Sequence, residues 1–486
     1  MLPAHKTKIV ATIGPASESR EMLERLIRAG MNVARLNFSH GDFSGHAERI
    51  AAIRTAAGAT RQRVAIMADL PGPKMRVGKL DPEPIDLQSG TRFTLTTEDT
   101  VGTSERVSVS FARLPQVVKR GDRLFLNDGL VQLQVERVAG TDVECRVAVG
   151  GELRSRKGLN LPGIDLGISA FTEHDRACLE FALQQGVDAV SQSFVETAAD
   201  IDLVRAAAHA VGKQPFLIAK IERAGALQHF DEILTAADGI MVARGDLGVE
   251  VPLEEIAMTQ KQLLSKANLA GKPVIIATQM LESMTSSRLP TRAEATDVAN
   301  AILDGTDCIM LSAESAVGRY PEEAVTMLAK IAAVTEARRP PARLRELRES
   351  CSQHSATTAA EAIASVVEYG LETVPCAAVF VPTHTGTTAR MISRFKPSAG
   401  IVAISRDPAV CQGLAFSYGV HPVDVTDEPE DWRDYARRWL REAEVPGFIA
   451  MLVAGPSTRH PEANYRIEFM RVGDRGAADD KELSSR

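Results

Sequence analysis

The chain has 486 residues, 44% of them apolar and 24% charged, which is typical of a soluble globular protein of several domains. A net charge of −7 and a pI near 5.9 argue against a broad nucleic-acid surface, and no apolar run is long enough to span a membrane. The 6 cysteines are scattered without a C-x-x-C pair, and the N-terminus lacks the apolar core of a signal peptide. We therefore expect a cytoplasmic protein with free thiols.

Short apolar runs recur along the chain and are separated by amphipathic helical patterns. Runs that are nearly continuous in apolar residues are typical of parallel strands covered on both faces. They are Lys8–Ile13, Val33–Phe38, Val64–Leu70, Ala189–Phe194, Phe216–Ile221, Gly239–Ala243, Val274–Thr278 and Cys308–Leu311. This β-then-α succession predicts an α/β fold built on a TIM (β/α)8 barrel.

The interval between Leu70 and Ala189 is far longer than one barrel crossover. Alternating apolar and polar residues predict strands there, and Asn127-Asp128-Gly129 is either a hairpin turn or only a structural corner. We therefore expect a small β-barrel domain at 73–159, inserted into a barrel domain formed by 1–72 plus 160–340.

A second α/β domain is predicted at 350–475, where Ala377–Pro382 and Gly400–Ser405 are strand-like. The charged, proline-containing segment Arg338–Glu349 is typical of a linker. The polar tail Gly473–Arg486 is expected to be frayed.

Charged and polar side chains gather where the predicted barrel strands end, which is where TIM-barrel active sites lie. Charges are costly in a core unless paired, so this concentration favours a functional site over scattered surface salt bridges. The side chains are Arg35, Asn37, Ser39 and His40 after the second strand, Asp69, Gly72, Lys74 and Arg76 after the third, Lys220 and Glu222 after the fifth, Arg244, Gly245 and Asp246 after the sixth, Thr278 and Gln279 after the seventh, and Ser312 and Glu314 after the eighth.

Glu222 and Asp246 end neighbouring strands, which lie about 4.8 Å apart, so the two carboxylates can share one Mg²⁺ that keeps positions for substrate oxygens. Alternatively, Glu222 pairs with Lys220 or Arg223. Nearby cations suit an anionic substrate and phosphoryl transfer. They are Arg35, Arg76, Lys157, Lys220 and Arg244.

The segment Arg244-Gly245-Asp246-Leu247-Gly248 opens towards a helix, and its free N–H groups can hold a carboxylate. Neither a P-loop nor a G-x-S-x-G elbow is present in the sequence, so a nucleotide has to bind without a Walker motif.

Several stretches resemble pyruvate kinases: Lys8–Ser17, Met31–Gly41, Asp238–Gly248, Ala277–Met284 and Pro290–Asn300. The resemblance covers residues 6–335 and is weaker over the C-terminal domain. It implies an allosteric, cytoplasmic homotetramer that transfers the phosphoryl group of phosphoenolpyruvate to ADP with Mg²⁺, giving pyruvate and ATP in the last step of glycolysis.

The resemblance also implies roles for matching residues of the reaction centre. Lys220 neutralises the phosphoryl group in flight, and Arg35 contacts phosphate. Glu222 and Asp246 hold Mg²⁺. The amides of Gly245 and Asp246 bind the substrate carboxylate.

Further roles follow from the same resemblance. Thr278 also binds the carboxylate and takes part, through water, in protonating the enolate. His40, Arg76 and Lys157 hold the nucleotide, with Lys157 reaching in from the inserted domain, which acts as a lid.

One position departs from the family pattern. Many members bind K⁺ through residues that match Asn37, Ser39, Asp69 and the Leu70 carbonyl, and they carry Glu where this chain has Lys74. A lysine ammonium can supply the positive charge of K⁺, so we predict activity without potassium. The alternative is that Lys74 points to solvent.

The segment Thr383-His384-Thr385-Gly386-Thr387-Thr388-Ala389 follows a predicted strand and begins a helix. Hydroxyls, a glycine and helix N–H groups can form an anion site, and the segment resembles the family's sugar-phosphate effector loop. The residues predicted to bind a phosphorylated effector are Thr383, Thr385, Gly386, Thr387 and Thr388. A simple helix cap explains them equally well.

Two other interpretations stay open. A carbon–carbon lyase of the citramalyl type would keep the Glu222–Asp246 metal site but would not need Lys220 or the inserted lid. A catalytically silent metabolite sensor is the second, although Lys220, Glu222 and Asp246 are all present.

Overall fold

The computed structural model describes residues 4–339, 358–455, 462 and 464–473. The chain begins with three strands that alternate with two helices. These are β1 (Lys8–Thr12), α1 (Arg20–Ala29), β2 (Met31–Asn37), α2 (Phe43–Thr60) and β3 (Ala65–Leu70). Helix α1 shows how local sequence sets the bounds: the Ser19 side chain accepts from Met22 N–H at its start, and Gly30, with φ +121°, ends it.

The inserted domain follows β3 and has its own apolar core around Phe93 and Leu124. Its elements are β4 (Ile85–Leu87), β5 (Arg92–Thr96), β6 (Arg106–Ser108), α3 (Leu114–Val117), β7 (Arg123–Leu126), β8 (Val131–Ala139), β9 (Asp142–Val149), β10 (Gly151–Leu153) and β11 (Leu159–Asn160). Six strands form one sheet in the order β11-β7-β8-β9-β5-β6. Bridges from Arg76 to Gly158 and from Val77 to Val109 join its two edges, so the sheet closes into a small barrel.

The chain then returns to the first barrel and completes it. The elements are α4 (Glu173–Gln184), β12 (Ala189–Gln192), α5 (Ala198–Ala210), β13 (Phe216–Ile221), α6 (Ala224–Gln228), α7 (Phe230–Ala236), β14 (Gly239–Ala243), α8 (Arg244–Glu250), α9 (Ile256–Leu269), β15 (Val274–Ala277), α10 (Arg292–Leu303), β16 (Cys308–Leu311), α11 (Ala313–Ala316) and α12 (Pro321–Glu336). The strands close in the order β1-β16-β15-β14-β13-β12-β3-β2, with every neighbouring pair parallel. The predicted TIM barrel is confirmed.

The C-terminal part is the predicted α/β domain. It contains α13 (Ala359–Thr373), β17 (Ala378–Pro382), α14 (Thr387–Ser393), β18 (Gly400–Ser405), α15 (Pro408–Leu414), β19 (Val420–Asp424), α16 (Trp432–Glu442), β20 (Ile449–Ala454) and β21 (Arg466–Arg471). The strand order is β19-β18-β17-β20-β21, with only β21 antiparallel among these described strands. The predicted linker from residue 340 and the predicted frayed tail from residue 474 lie outside the described residues, and the domain boundaries stay predictions.

The C-terminal domain covers the floor of the barrel. Ala415 and Phe416 join the apolar cluster inside the barrel, where the Phe416 ring stacks on Phe216 with centroids 5.3 Å apart. Lys8 Nζ donates to the Val420 carbonyl at 2.7 Å. Across the described ranges, no helix is long and apolar enough to cross a membrane.

Candidate active site

The predicted site residues meet at the barrel rim opposite this floor. Neighbouring strands in register bring Asn37 beside Asp69 and Asp69 beside Ser191, although the three are far apart in sequence. The inserted domain reaches the same rim, since a Cβ on Gly129 would lie 3.6 Å from Val249 of α8. The rim and the inserted domain therefore enclose one cleft.

A buried network of charges joins β2, β3 and β13. Arg35 Nε donates to Asp69 Oδ2 at 2.9 Å, and Arg35 Nη1 donates to Thr12 Oγ1 at 2.9 Å. Asp69 Oδ1 accepts from Ser191 Oγ at 2.7 Å and lies 3.3 Å from Lys220 Nζ. Burial alone would raise the pKa of Asp69, but the Lys220 and Arg35 cations hold it down at about 2. Asp69 is therefore a permanent counter-ion for both cations.

Lys220 is the central cation of this network. Its Nζ lies 2.8 Å from Glu222 Oε1 and donates to Ser193 Oγ at 2.7 Å. Burial opposes the charge, yet the Asp69 and Glu222 carboxylates raise the pKa of Lys220 above its ordinary value. The pairing of Glu222 with Lys220, left open by the sequence, is thus present, and it fixes an ammonium group at the rim.

Two carboxylates, Glu222 and Asp246, follow the neighbouring strands β13 and β14, as predicted. Glu222 Oε2 accepts from Phe194 N–H at 2.8 Å. Burial and then the Glu222 carboxylate raise the pKa of Asp246 to about 6, helped by Asp128 and opposed by Lys220 and Lys74. Negative charge at Asp246 is therefore only partly compensated by the protein.

Such a site fits a divalent cation. Within the described part of the chain, no three His, Cys, Asp or Glu side chains gather closely enough to cage a metal. Mg²⁺ does not require such a cage, because it is often held by one or two carboxylates together with water and substrate phosphate oxygens. The uncompensated charge of Asp246 beside Glu222 is the feature that a bound cation would relieve.

Thr278 connects β15 with the start of α8. It has φ +69°, which is unusual for a β-branched residue, and the next residue, Gln279, has φ +55°. Its Oγ1 accepts from Gly245 N–H at 2.8 Å and donates to the Ala277 carbonyl at 2.6 Å. The strained backbone therefore aims the hydroxyl at the first turn of α8, where Asp246 lies.

Arg244, one of the cations predicted to suit an anionic substrate, is paired with a carboxylate at the rim, and its role towards substrate stays a prediction. Its two Nη atoms lie 2.9 Å and 2.7 Å from the Asp297 carboxylate oxygens, and Nη2 also donates to the Thr278 carbonyl at 3.1 Å. Through these Nη contacts Arg244 joins the end of β14 to the end of β15. Glu314 braces the rim similarly, accepting from Leu281 N–H at 3.1 Å and Ser312 N–H at 2.7 Å.

The four predicted ligands of a monovalent cation lie on β2 and β3 or in the turn that follows β2. Asn37 Oδ1 accepts from Ser39 N–H at 3.1 Å, and the Leu70 carbonyl accepts from Ser193 Oγ at 2.6 Å. Asp69 is engaged by the network described above. Each of these three acceptors already has a protein donor, so none of them needs a bound cation to satisfy it.

Lys74 is exposed but lines the cleft together with Asp246 and Asp128. It also acts on His40, because burial first and then the cations Lys74, Arg76 and Arg35 lower the pKa of His40. Lys74 therefore contributes positive charge to the site even though its side chain reaches water.

Two of the three predicted nucleotide-binding side chains, Arg76 and Lys157, are next in sequence to residues that line the cleft. His40 is exposed, and Lys157 is half-buried in the inserted domain. Arg76 Nη1 donates to the Arg156 carbonyl at 2.8 Å, and Gly158 lines the cleft next to Lys157. His40 comes from the barrel domain, whereas Arg76 and Lys157 come from the inserted domain.

The predicted effector loop lies at the carboxyl edge of the C-terminal sheet. Thr383 and His384 line a cavity there with Arg406 and Trp432. Thr383 Oγ1 accepts from Gly386 N–H at 2.9 Å, which shapes the loop before α14. The cavity lining thus combines one arginine, one glutamate (Glu428), an aromatic ring and the hydroxyl residue Thr383.

Sequence reasoning missed several groups that complete the site. Asp128 was treated only as part of a turn, although its residue type and its left-handed φ of +57° were a usable signal. Ser191 lies in β12 and donates to Asp69, and Ser193, just after β12, accepts from Lys220; this strand offered no charged residue as a signal. Phe194, with φ +57°, acts through its backbone N–H, which no side-chain pattern reveals.

Comparisons with known proteins agree with this geometry. A family profile described as "Pyruvate kinase, barrel domain" matches residues 4–325, and another described as "Pyruvate kinase, alpha/beta domain" matches residues 361–459. The pyruvate kinase of Thermococcus litoralis is 51% identical over 424 residues, covering 87% of this chain and 89% of the relative. Pyruvate kinase PKLR of Homo sapiens is 43% identical over 489 residues, covering 96% and 85%. The crystal structure of a pyruvate kinase from Cryptosporidium parvum superposes with a TM-score of 0.89 at 37% identity and covers 97% of each chain. The chain belongs to the pyruvate kinase family.

Proposed function

We propose that this protein transfers the phosphoryl group of phosphoenolpyruvate to ADP at the site formed by Lys220, Glu222 and Asp246. Its family consists of glycolytic phosphotransferases that generally depend on Mg²⁺ and K⁺. The observation that carries the residue assignment is the ammonium of Lys220, buried at the rim between Asp69 and Glu222. A cation fixed in this way needs no reorganisation when charge moves between two anions, which is the main catalytic resource of phosphoryl transfer.

Lys220 and Arg35 would meet the phosphoryl group, since both are held at the rim by Asp69. Glu222 and Asp246 would hold Mg²⁺, which when bound supplies positive charge and coordination for substrate oxygens. The amides of Gly245 and Asp246, in the first turn of α8, would bind the substrate carboxylate.

Thr278 would bind the same carboxylate and serve the proton transfer that converts the enolate into pyruvate. Its hydroxyl already lies 2.8 Å from Gly245 N, so it borders the proposed carboxylate site. A hydroxyl is too weak an acid to act alone, and a water molecule relaying the proton through Thr278 is consistent with its position.

His40, Arg76 and Lys157 would hold the nucleotide between the barrel and the inserted domain. Closure of the inserted domain would exclude water from the transfer step and bring Lys157 towards the phosphates. ADP and ATP are thus bound from both sides of the cleft.

Turnover is proposed not to require potassium, because Lys74 brings a fixed positive charge to the cleft. The test is pyruvate formation from phosphoenolpyruvate and ADP with Mg²⁺, measured with K⁺ and with a large cation that cannot replace it. We expect similar rates in both salts for the native chain. Lys74→Glu should restore dependence on K⁺, whereas Lys79→Glu, the same charge change at an exposed lysine nearby, should not.

The assay distinguishes failure of the Lys74 proposal from failure of the kinase assignment. A native rate that collapses without K⁺ would keep the kinase and discard the role of Lys74. No turnover in either salt, from folded protein, would favour the lyase or sensor interpretations.

A phosphorylated effector is proposed for the C-terminal cavity, contacted by Thr383, Thr385, Gly386, Thr387 and Thr388. The support is Arg406 and Trp432 on the same cavity wall, which suit a phosphate and a ring. Trp432 fluorescence titrated with sugar phosphates and nucleotides tests this, and no change with any of them would count against it.

A homotetramer is also proposed, and light scattering should then give four chain masses of 52.4 kDa.

A further inference from the structure

The chain crosses back from the inserted domain to the barrel between β11 and α4, and two buried side chains of the barrel hold this return crossing. Arg223 Nη2 donates to the Ile164 carbonyl at 2.8 Å. The Gly163 N–H faces the carboxylate of Glu250 closely enough to lower the pKa of Glu250 against the effect of burial. The crossing is therefore held through its backbone, at the N–H of Gly163 and at the carbonyl of the next residue, Ile164.

Both side chains belong to elements that carry the proposed metal carboxylates. Arg223 directly follows Glu222 after β13, and Glu250 is the last residue of α8, whose first turn contains Asp246. Glu250 Oε2 also accepts from Ala224 N–H at 3.3 Å, so it ties α8 to the segment after Glu222. Arg223 and Glu250 line the same cleft as Asp246.

The two side chains are nearly inaccessible, at 6% exposure for Arg223 and 4% for Glu250, and Arg223 Nε lies 2.9 Å from Glu196 Oε1. Burial raises the pKa of Glu250, although the Arg223 cation opposes the shift. Buried ion pairs of this kind contribute little net stability compared with apolar packing, so their usual value is geometric specificity. Here the geometry that they specify is the distance between the return crossing and two carboxylates.

We propose that Arg223 and Glu250 are positioning residues that couple docking of the inserted domain to the relative placement of Glu222 and Asp246. A shift of the Gly163-Ile164 backbone displaces Arg223 and Glu250. Arg223 then moves the adjacent Glu222, and Glu250 moves helix α8, which contains Asp246. The inference rests on the proposed function, because it concerns the Mg²⁺ site assigned there. Movement of the inserted domain thereby changes the separation of Glu222 and Asp246 through the return crossing.

The test compares the native chain with Arg223→Met, Arg223→Lys and Glu250→Gln. Residues that orient metal ligands typically change metal affinity by about 10–100-fold when replaced. We expect the Mg²⁺ concentration for half-maximal activity to rise about tenfold in Arg223→Met and Glu250→Gln, with partial recovery in Arg223→Lys, which keeps one donor. Arg113→Met is the matched control, because Arg113 donates to the Gly167 carbonyl of the same crossing but comes from the inserted domain.

A second readout separates coupling from simple loss of stability. Hydrogen exchange at the Gly163 amide is measured with and without Mg²⁺ plus phosphoenolpyruvate. Protection by these ligands in the native chain and in the Arg113→Met control, lost in Arg223→Met, supports the coupling. An unchanged Mg²⁺ constant in Arg223→Met, or equal protection of Gly163 in both proteins, overturns it. A native chain that forms no pyruvate would instead refute the proposed function, independently of these comparisons.

Discussion

Lys8 is a buried amine at the joint between the barrel floor and the C-terminal domain. It is 5% exposed, and its Nζ donates to the Val420 carbonyl. Burial lowers the pKa of Lys8 from 10.5 to about 8, although Cys308, Glu336 and Asp307 oppose the shift. Folding therefore works against the charged form of this lysine.

The size and sign of the effect follow from proton linkage. One pKa unit corresponds to about 1.4 kcal/mol, so the shift of Lys8 costs the folded state about 3 kcal/mol while the amine is charged in both states. Below pH 8 this cost is constant. Between pH 8 and 10.5 the unfolded chain binds more protons than the folded chain, so stability rises with pH until the cost is gone.

The perturbation is Lys8→Met, which keeps an unbranched side chain and removes the amine. Losing the hydrogen bond to Val420 costs about 1 kcal/mol, so the variant should be about 2 kcal/mol more stable near neutral pH. Both tryptophans of the chain, Trp432 and Trp439, lie in α16, so their fluorescence during urea unfolding reports on the C-terminal domain. The native chain should approach the variant as the pH rises from 8 to 10.5. Parallel stability profiles for the two proteins between pH 8 and 10.5 would refute the reasoning, since Lys8 would then not titrate in this window.

Three further substitutions test other parts of the structure. Asp69→Asn leaves Arg35 and Lys220 without a shared counter-ion and should destabilise the barrel by about 3–5 kcal/mol, seen as a lower melting temperature and a large loss of kcat. Thr278→Ala should lower kcat by about 10²-fold or more while pyruvate no longer exchanges its methyl protons with water, and retention of exchange would contradict the proton-transfer role. Phe416→Ala removes the ring stacked in the barrel floor and should cost about 3–5 kcal/mol in urea unfolding, with turnover at low temperature retained.

Much of the fold was predictable because burial on both faces leaves a clear pattern. The barrel strands Ile9–Ala11 and Val274–Ala277 are fully apolar and fully buried, and such runs have few other interpretations. Some strands of two or three residues escaped prediction, such as Ile85–Leu87, which pairs with Gly151–Leu153. Their pairing is imposed by tertiary contacts, because so short a run has no periodicity of its own.

The C-terminal domain was harder to predict for a related reason. Val420–Asp424 contains His421 and Pro422, which weaken a strand signal, yet it pairs along its length with Gly400–Ser405. It lies at the edge of the sheet, where a proline is tolerated. Whether a strand lies at the edge of a sheet depends on the strand order, which no local sequence pattern predicts.

At the barrel rim, the sequence predicts which residues lie close together but not which partners their side chains contact. Two residues that end neighbouring strands have to lie close together, so Glu222 and Asp246 could be paired from strand order alone. Whether Asp128 approaches Asp246 depends on how the inserted domain sits on α8, a contact between Gly129 and Val249. Likewise, only the structure reveals that Arg244 forms an ion pair with Asp297.

The pKa values of Asp69 and Asp246 argue for a division of labour between carboxylates of one rim. Burial acts on both in the same direction, so the opposite outcomes, about 2 and about 6, come from their neighbours. Asp69 lies between two cations that already keep it ionised, so a third cation would not change its charge state. Asp69 is therefore a fixed counter-ion. Asp246 faces Glu222 and Asp128, and the opposing cations Lys220 and Lys74 compensate its negative charge only in part. Groups whose surroundings push their pKa values apart usually have different roles. The same reasoning explains why Lys220 cannot replace an arriving cation, since its charge is already balanced by Asp69 and Glu222. The protein thus leaves the negative charge of Asp246 only partly compensated, and the proposed divalent cation, arriving with an anionic substrate, would supply the missing positive charge without altering the contacts of Asp69 and Lys220.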